Sequence, residues 1–158
     1  MSQEGVGVDL ETSLGYLLKE ASSALRAAME EVLRPLGMSV THYSCLELLA
    51  QRPGLSNSEL ARGAFVTRQT MNVLLQSLER DGYVTRPAEA AVGKVLPTRL
   101  TPRGRRSLEK ASAAVRSVEA RMQAGLTETE QSEAFRILQS MIHSLRGDNE
   151  IVRRPTQP

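Results

Sequence analysis

The chain has 158 residues, of which 41% are hydrophobic and 24% charged, enough for one globular domain with its own core and too few for two independent ones. One cysteine excludes an internal disulfide, and two separated histidines without a second cysteine offer no zinc-ligand spacing, so neither a metal nor a cofactor is expected. No apolar run reaches the roughly 18 residues of a membrane span, and the acidic start lacks the features of a signal peptide, so the expected location is cytoplasmic, with no membrane partner.

The formal net charge of +2 conceals an asymmetry. Residues 1–51 carry 3 Lys/Arg against 7 Asp/Glu, residues 52–106 carry 10 against 4, and residues 107–158 carry 7 against 7. A basic middle block is the footprint of a phosphate-binding surface. The three Tyr and two Phe are not interleaved with the basic residues as a base-stacking platform requires, which favours duplex DNA over single strands or RNA.

Residues 1–9 lack clear periodicity and are expected to be disordered. From Leu10 to Leu33 a stripe of Leu14, Leu17, Leu18, Ala21, Leu25, Ala28 and Val32 predicts a helix of about six turns, ended by Pro35 and Gly37. That is longer than a small domain needs, so part of its apolar face should pack against something outside the domain. Ser39 can cap a second helix over 40–50, with Tyr43, Leu46, Leu49 and Ala50 inward, before Pro53-Gly54 breaks the chain. Cys45 lies beside that inward stripe as a small apolar filler, since no flanking cation would lower its pKa. His42 and Glu47 are five residues apart, off a common face, and make no acid–base pair.

Ser56-Asn57-Ser58-Glu59 is a capping box that opens a short helix over 57–63, burying Leu60 and Ala61. After a turn at Ala64-Phe65-Val66, Thr67 caps a helix over 68–81, and Gly82 suits its left-handed C-terminal turn. Met71, Leu74, Leu75 and Leu78 form its buried stripe. Its opposite face carries Arg68, Gln69, Asn72 and Gln76, a cation and three side-chain amides of the kind that pair with guanine and adenine edges in a major groove. Tyr83–Arg86 and Lys94–Leu100 then read as two short strands, with Pro87 and Pro97 tolerated because a two-stranded ribbon is all edge. Helix, turn, helix and β-ribbon over 38–101 make a winged helix-turn-helix.

Thr101 as cap and Pro102 at the first helical position start a fifth helix that runs to about Ala124. Leu108, Ala111, Val115, Val118 and Met122 repeat along it at steps of three and four, a heptad seam suited to packing against another helix. Thr127-Glu128-Thr129-Glu130 is a second capping box, and a sixth helix carries Phe135, Leu138, Ile142 and Leu145 until Gly147, with a disordered tail over 147–158. The fold class is thus mainly α with a small β-wing. A symmetric dimer would cover the terminal helices, 10–37 and 102–146, with Leu14, Leu17, Leu108, Ala111, Val115, Val118, Met122, Phe135, Leu138 and Ile142 at its interface, the alternative being packing of the two C-terminal helices on the chain's own winged domain.

The order of elements and four short motifs resemble the MarR family of bacterial transcriptional regulators over roughly residues 12–146. The motifs are Gly37-Met38-Ser39, Ser56-x-x-Glu59-Leu60-Ala61, the run from Leu78 to Arg86, and Leu100-Thr101-Pro102-Arg103-Gly104. The resemblance implies a homodimer built by the first, fifth and sixth helices, two winged domains reading a palindrome, and a small aromatic or phenolic ligand that lowers DNA affinity. By the same analogy the ligand pocket lies among the first, second and fifth helices, with Tyr16, His42, Cys45 and Phe65 as candidate lining residues. Family wings usually carry an Asp followed by arginine near the tip, whereas this chain reads Ala91-Val92-Gly93-Lys94, which implies a looser wing and weaker minor-groove reading. Members that sense oxidants through a first-helix cysteine are not matched either, because Cys45 falls in the second helix.

The function expected from these readings is a homodimeric, sequence-specific DNA-binding transcriptional repressor released by a small aromatic ligand. Arg68, Gln69 and Asn72 would read bases, with Thr67, Thr70 and Gln76 in support and Arg86, Lys94 and Arg99 serving the wing and flanking phosphates. Two alternatives are a redox-responsive regulator acting through Cys45 and a winged domain used only for protein contacts. No carboxylate pair, nucleophile–base pair or phosphate-binding glycine loop in the right context suggests an enzyme.

Overall fold

In the computed structural model, which describes residues 7–86 and 98–151, the chain forms six helices and a two-stranded antiparallel sheet. These are α1 (Leu14–Leu33), α2 (Val40–Gln51), α3 (Asn57–Gly63), α4 (Arg68–Arg80), β1 (Val84–Thr85), β2 (Arg99–Leu100), α5 (Pro102–Gln123) and α6 (Glu128–Ile151), with a 3₁₀ turn at Arg34–Leu36 after α1. The strands pair Val84 with Leu100 and Thr85 with Arg99. Among the described residues Tyr83, Arg86 and Thr98, expected in the strands, fall outside them, and the remainder of the ribbon, including Ala91–Lys94, lies outside the described residues, as do the chain ends at 1–6 and 152–158.

Side-chain caps start most of the helices. Ser39 Oγ accepts from the His42 N–H at 3.1 Å, Ser56 Oγ from Glu59 at 3.2 Å, Thr67 Oγ1 from Thr70 at 3.1 Å, and Thr101 Oγ1 from Gly104 at 3.0 Å. Thr127 and Glu130 make the reciprocal box: Thr127 Oγ1 accepts from the Glu130 N–H at 3.1 Å, and Glu130 Oε1 from the Thr127 N–H at 3.0 Å. Gly37 and Gly82 close their helices at φ 68° and 80°, in the left-handed region where a side chain is strained.

Two boundaries differ from the sequence reading. α1 begins at Leu14 rather than Leu10, because Asp9 folds residues 9–12 into a turn and Ser13 Oγ accepts from the Tyr16 N–H at 3.1 Å. α6 runs through Gly147 to Ile151, so the expected tail begins inside a helix. A glycine within a helix costs only about 1 kcal/mol, less than the neighbouring hydrogen bonds together supply.

The chain divides into two compact units, residues 1–118 and 119–158. The first holds the core. Leu33, Leu46, Leu60, Met71, Leu75, Val84 and Cys45 are fully buried there, joined by Met38, Val40, Leu49, Leu74, Leu78, Leu108, Ala111 and Val115. A buried leucine of this kind contributes about 1.5–3 kcal/mol through removal from water. This corrects one expectation. Leu108, Ala111 and Val115, assigned to a dimer seam, face the chain's own core, and Val118 is buried as well. A three-four spacing marks a buried stripe without saying what covers it.

Other apolar positions remain open. Leu14, Leu17 and Leu18 on α1 are 65%, 59% and 45% exposed, and in the second unit Met122, Phe135, Leu138, Ile142 and Leu145 are exposed as well. Among the described residues no helix is long and apolar enough to cross a membrane.

Candidate nucleic-acid interface

α4 reaches the surface as an amphipathic rod. Its inner face, Met71, Leu74, Leu75 and Leu78, is buried in the core. Its outer face leaves Arg68, Gln69, Thr70, Asn72, Val73 and Gln76 exposed. Among the described residues no hydrogen bond or ion pair engages the side chains of Arg68, Gln69 or Gln76. A cation and two amides held on a rigid, well-capped helix without internal partners can donate to and accept from base edges in a groove.

The two threonines are less free. Thr67 Oγ1 caps the helix and also donates to Thr70 Oγ1 at 2.9 Å, so this pair steadies the first turn, and outward contacts are left to the remaining lone pairs. Asn72 is engaged from the side, its Oδ1 accepting from Asn57 Nδ2 at 2.9 Å. That cross-helix bond was not legible in the sequence. Val73, 62% exposed on the same face, was also missed, because an apolar residue outside the buried stripe carries no periodic signal. A branched methyl pair in that place suits apolar contact with a thymine methyl.

The expected wing residues fare differently. The Arg86 backbone N–H donates to Glu79 Oε2 at 3.1 Å and its Nε lies 3.5 Å from the same oxygen, so Arg86 locks β1 onto the end of α4. Arg99 is exposed on β2, and Lys94 lies outside the described residues. Arg103 sits over the Tyr83 ring, 5.0 Å from its centroid.

The four candidate ligand residues are not brought together. His42 lines two cavities, one of about 530 Å³ with Thr41, Gln69, Thr70, Val73, Leu74 and Ser77, the other of about 400 Å³ with Glu30, Arg34, Gly37, Met38 and Ser39. Burial holds the imidazole below its ordinary pKa, with the Asp81 carboxylate opposing. Tyr16 is exposed on α1 and lines neither cavity. Phe65 is 86% exposed in the turn between α3 and α4, at a φ of 58° unusual for a bulky residue. Cys45 is fully buried, its thiol 3.7 Å from Met71 Sδ and its pKa pushed up to about 12 by desolvation. That is the environment of a core filler, and it argues against a thiolate sensor.

A short helix, a left-handed turn, a second helix with a free polar face and a two-stranded ribbon define a winged helix-turn-helix DNA-binding protein. The MarR family model matches residues 36–94. The chain is 43% identical over 136 residues to the HTH-type transcriptional repressor Rv2887 of Mycobacterium tuberculosis, covering 86% of this chain and 98% of that one. It is also similar to crystal structures of Rv2887. The complex with salicylic acid gives 45% identity and a TM-score of 0.69, over 82% of this chain and 96% of that one. The complex with DNA gives 43% identity and a TM-score of 0.69, over 82% and 98%. The chain belongs to the MarR family and is a DNA-binding transcriptional regulator, not an enzyme.

Proposed function

We propose that this protein is a repressor that binds a palindromic duplex operator as a homodimer, through α4, and is released by a small aromatic acid. The observation that carries the reading is the outer face of α4, where Arg68, Gln69 and Gln76 stand exposed without partners among the described residues. On this reading residues 38–101 are the DNA-binding part, and α1 with 102–146 the dimerising part. Arg68, Gln69 and Asn72 read bases, with Val73 beside them. Thr67, Thr70 and Gln76 support them, and Arg99 serves flanking phosphate.

Dimerisation is supported by the apolar positions left open on α1 and α6, Leu14, Leu17, Phe135, Leu138 and Ile142 among them. Stripes of that kind on long helices are covered most economically by a second copy. The ligand is supported by the complexes of Rv2887 with salicylic acid and p-aminosalicylic acid. In this chain the cavity of Glu30, Arg34, Gly37, Met38, Ser39 and His42 offers the Arg34 guanidinium to a carboxylate and the Met38 side chain to a ring, while Glu30 is paired with Arg26 at 3.2 Å.

The test is binding of the purified protein to its own upstream intergenic DNA and to a random duplex, across a salt series and with salicylic acid added. The expected result is two chains per site, half-sites centred about 10 bp apart or a multiple of that, a steep salt slope and release by the acid. Equal, weak binding to both duplexes overturns sequence-specific reading. Absence of binding at every salt concentration supports a protein-contact role instead.

A further inference from the structure

The bond between Asn57 and Asn72 joins the first residue of α3 to the middle of the outer face of α4. The two residues are 15 apart in sequence and on different helices, so no local cap or turn requires the contact. Its direction matters for chemistry. Asn57 Nδ2 donates and Asn72 Oδ1 accepts through one of its two lone pairs, which turns the Asn72 carbonyl toward α3 and its N–H donors away from it.

A side-chain amide with both ends free reads adenine, its oxygen accepting from N6 while its nitrogen donates to N7. Guanine presents two acceptors in the major groove, N7 and O6, and offers that oxygen no donor. We propose that Asn57 is a specificity-determining residue that turns the Asn72 oxygen toward α3 and away from the groove, so that Asn72 meets DNA through its amide donors and selects guanine over adenine at its position in each half-site. This rests on α4 being the base-reading helix.

The pairing becomes consequential when DNA arrives. In the free protein Asn72 is exposed, and water can satisfy the amide donors that Asn57 leaves open. Once a base edge excludes that water, an oxygen turned toward guanine would face acceptors alone, whereas an oxygen already bonded to Asn57 is satisfied and the outward donors are matched. Asn57 has the fixed base to hold this orientation. It follows the Ser56 cap, and α3 is anchored through buried Leu60 and Ala61.

The experiment is selection of bound sites from a duplex library randomised across the half-site, for the native protein, Asn57→Ala, Asn72→Ala and Asn57→Asp. Asn72→Ala identifies the position that Asn72 reads, as the one that loses its preference. At that position the native protein should select guanine, and Asn57→Ala should admit adenine at least as well, a shift of tenfold or more in the guanine-to-adenine ratio. Asn57→Asp, whose ionised carboxylate accepts from the Asn72 N–H group in place of donating to its oxygen, turns that oxygen outward and should move the preference toward adenine at least as far as Asn57→Ala. Thermal melting of each variant reports any purely structural stapling of α3 to α4, which would lower the midpoint without changing the selected base. Adenine selected by the native protein, or an unchanged base in both Asn57 variants, overturns the proposal while leaving operator binding by α4 intact. If no position depends on Asn72, base reading by that residue fails and the proposal with it.

Discussion

A β-carbon placed on Gly104 would lie 2.1 Å from the carbonyl oxygen of Tyr83. No side chain fits that gap, and the obstacle is backbone, which cannot rotate away. The first turn of α5 therefore sits directly against the entry to β1, and only glycine permits the approach. Gly104→Ala should destabilise the fold by about 1–3 kcal/mol or more, in the manner of an overpacked core. The urea midpoint should fall with an unchanged slope, and a midpoint equal to that of the native protein would refute the close approach.

The proposed base-reading role of the outer face of α4 can be tested by comparing two kinds of loss. Gln69→Ala should reduce discrimination between operator and random duplex by about 1–3 kcal/mol, with little change in salt slope. Arg99→Ala should weaken both duplexes alike and flatten the salt dependence by about one unit. Titration of labelled duplexes at four salt concentrations separates the outcomes. A uniform loss for Gln69→Ala would count against base reading at that position.

Cys45 should be chemically silent in the native state. Its single thiol should resist iodoacetamide at pH 8 and react only after unfolding, and peroxide should leave operator binding unchanged. Because its folded pKa, about 12, lies above the ordinary value of 9.0, the neutral thiol adds stability that is complete below pH 9.0 and is lost as pH rises toward about 12. Chemical denaturation between pH 8 and pH 11, comparing the native protein with Cys45→Ala, checks the sign: the native advantage should shrink as pH rises. Rapid alkylation of the folded protein would reopen the redox reading.

Leu17 and Phe135 give a test of assembly, because both are well exposed within one chain, at 59% and 66%. Leu17→Glu or Phe135→Glu should keep the helical circular dichroism of the native protein, halve the mass seen in sedimentation and weaken operator binding. A variant that sediments as the native protein does would place the contact between copies elsewhere.

What could be read in advance divides along physical lines. Caps at Ser39, Ser56, Thr67, Thr101 and Thr127 are bonds to backbone three residues ahead, so a short window contains both partners, and the helices they start were legible. Buried stripes were legible as stripes, but the partner of Leu108 and Ala111 depends on how helices distant in sequence pack. Gly147 looked like a stop because glycine favours helix ends, yet nothing at that point competes with the continuing backbone bonds. On the candidate interface, the polar residues of α4 were visible from helical spacing. The Asn57 bond, the engagement of Arg86 by Glu79 and the scattering of the ligand candidates all depend on contacts between elements, which no periodicity encodes.

The meeting of α4, β1 and α5 is more than a packing contact. Thr101 Oγ1 donates to the Gly82 carbonyl at 2.6 Å, the Thr101 N–H donates to the Tyr83 carbonyl at 3.1 Å, and Gly104 closes on that same carbonyl. Two bonds and a steric stop leave the start of α5 no hinge. α5 is about 33 Å long and α4 about 20 Å, at 1.5 Å per residue. A force that tilts α5 near this joint is therefore expected to turn α4 with it, as one arm of a bent lever turns the other.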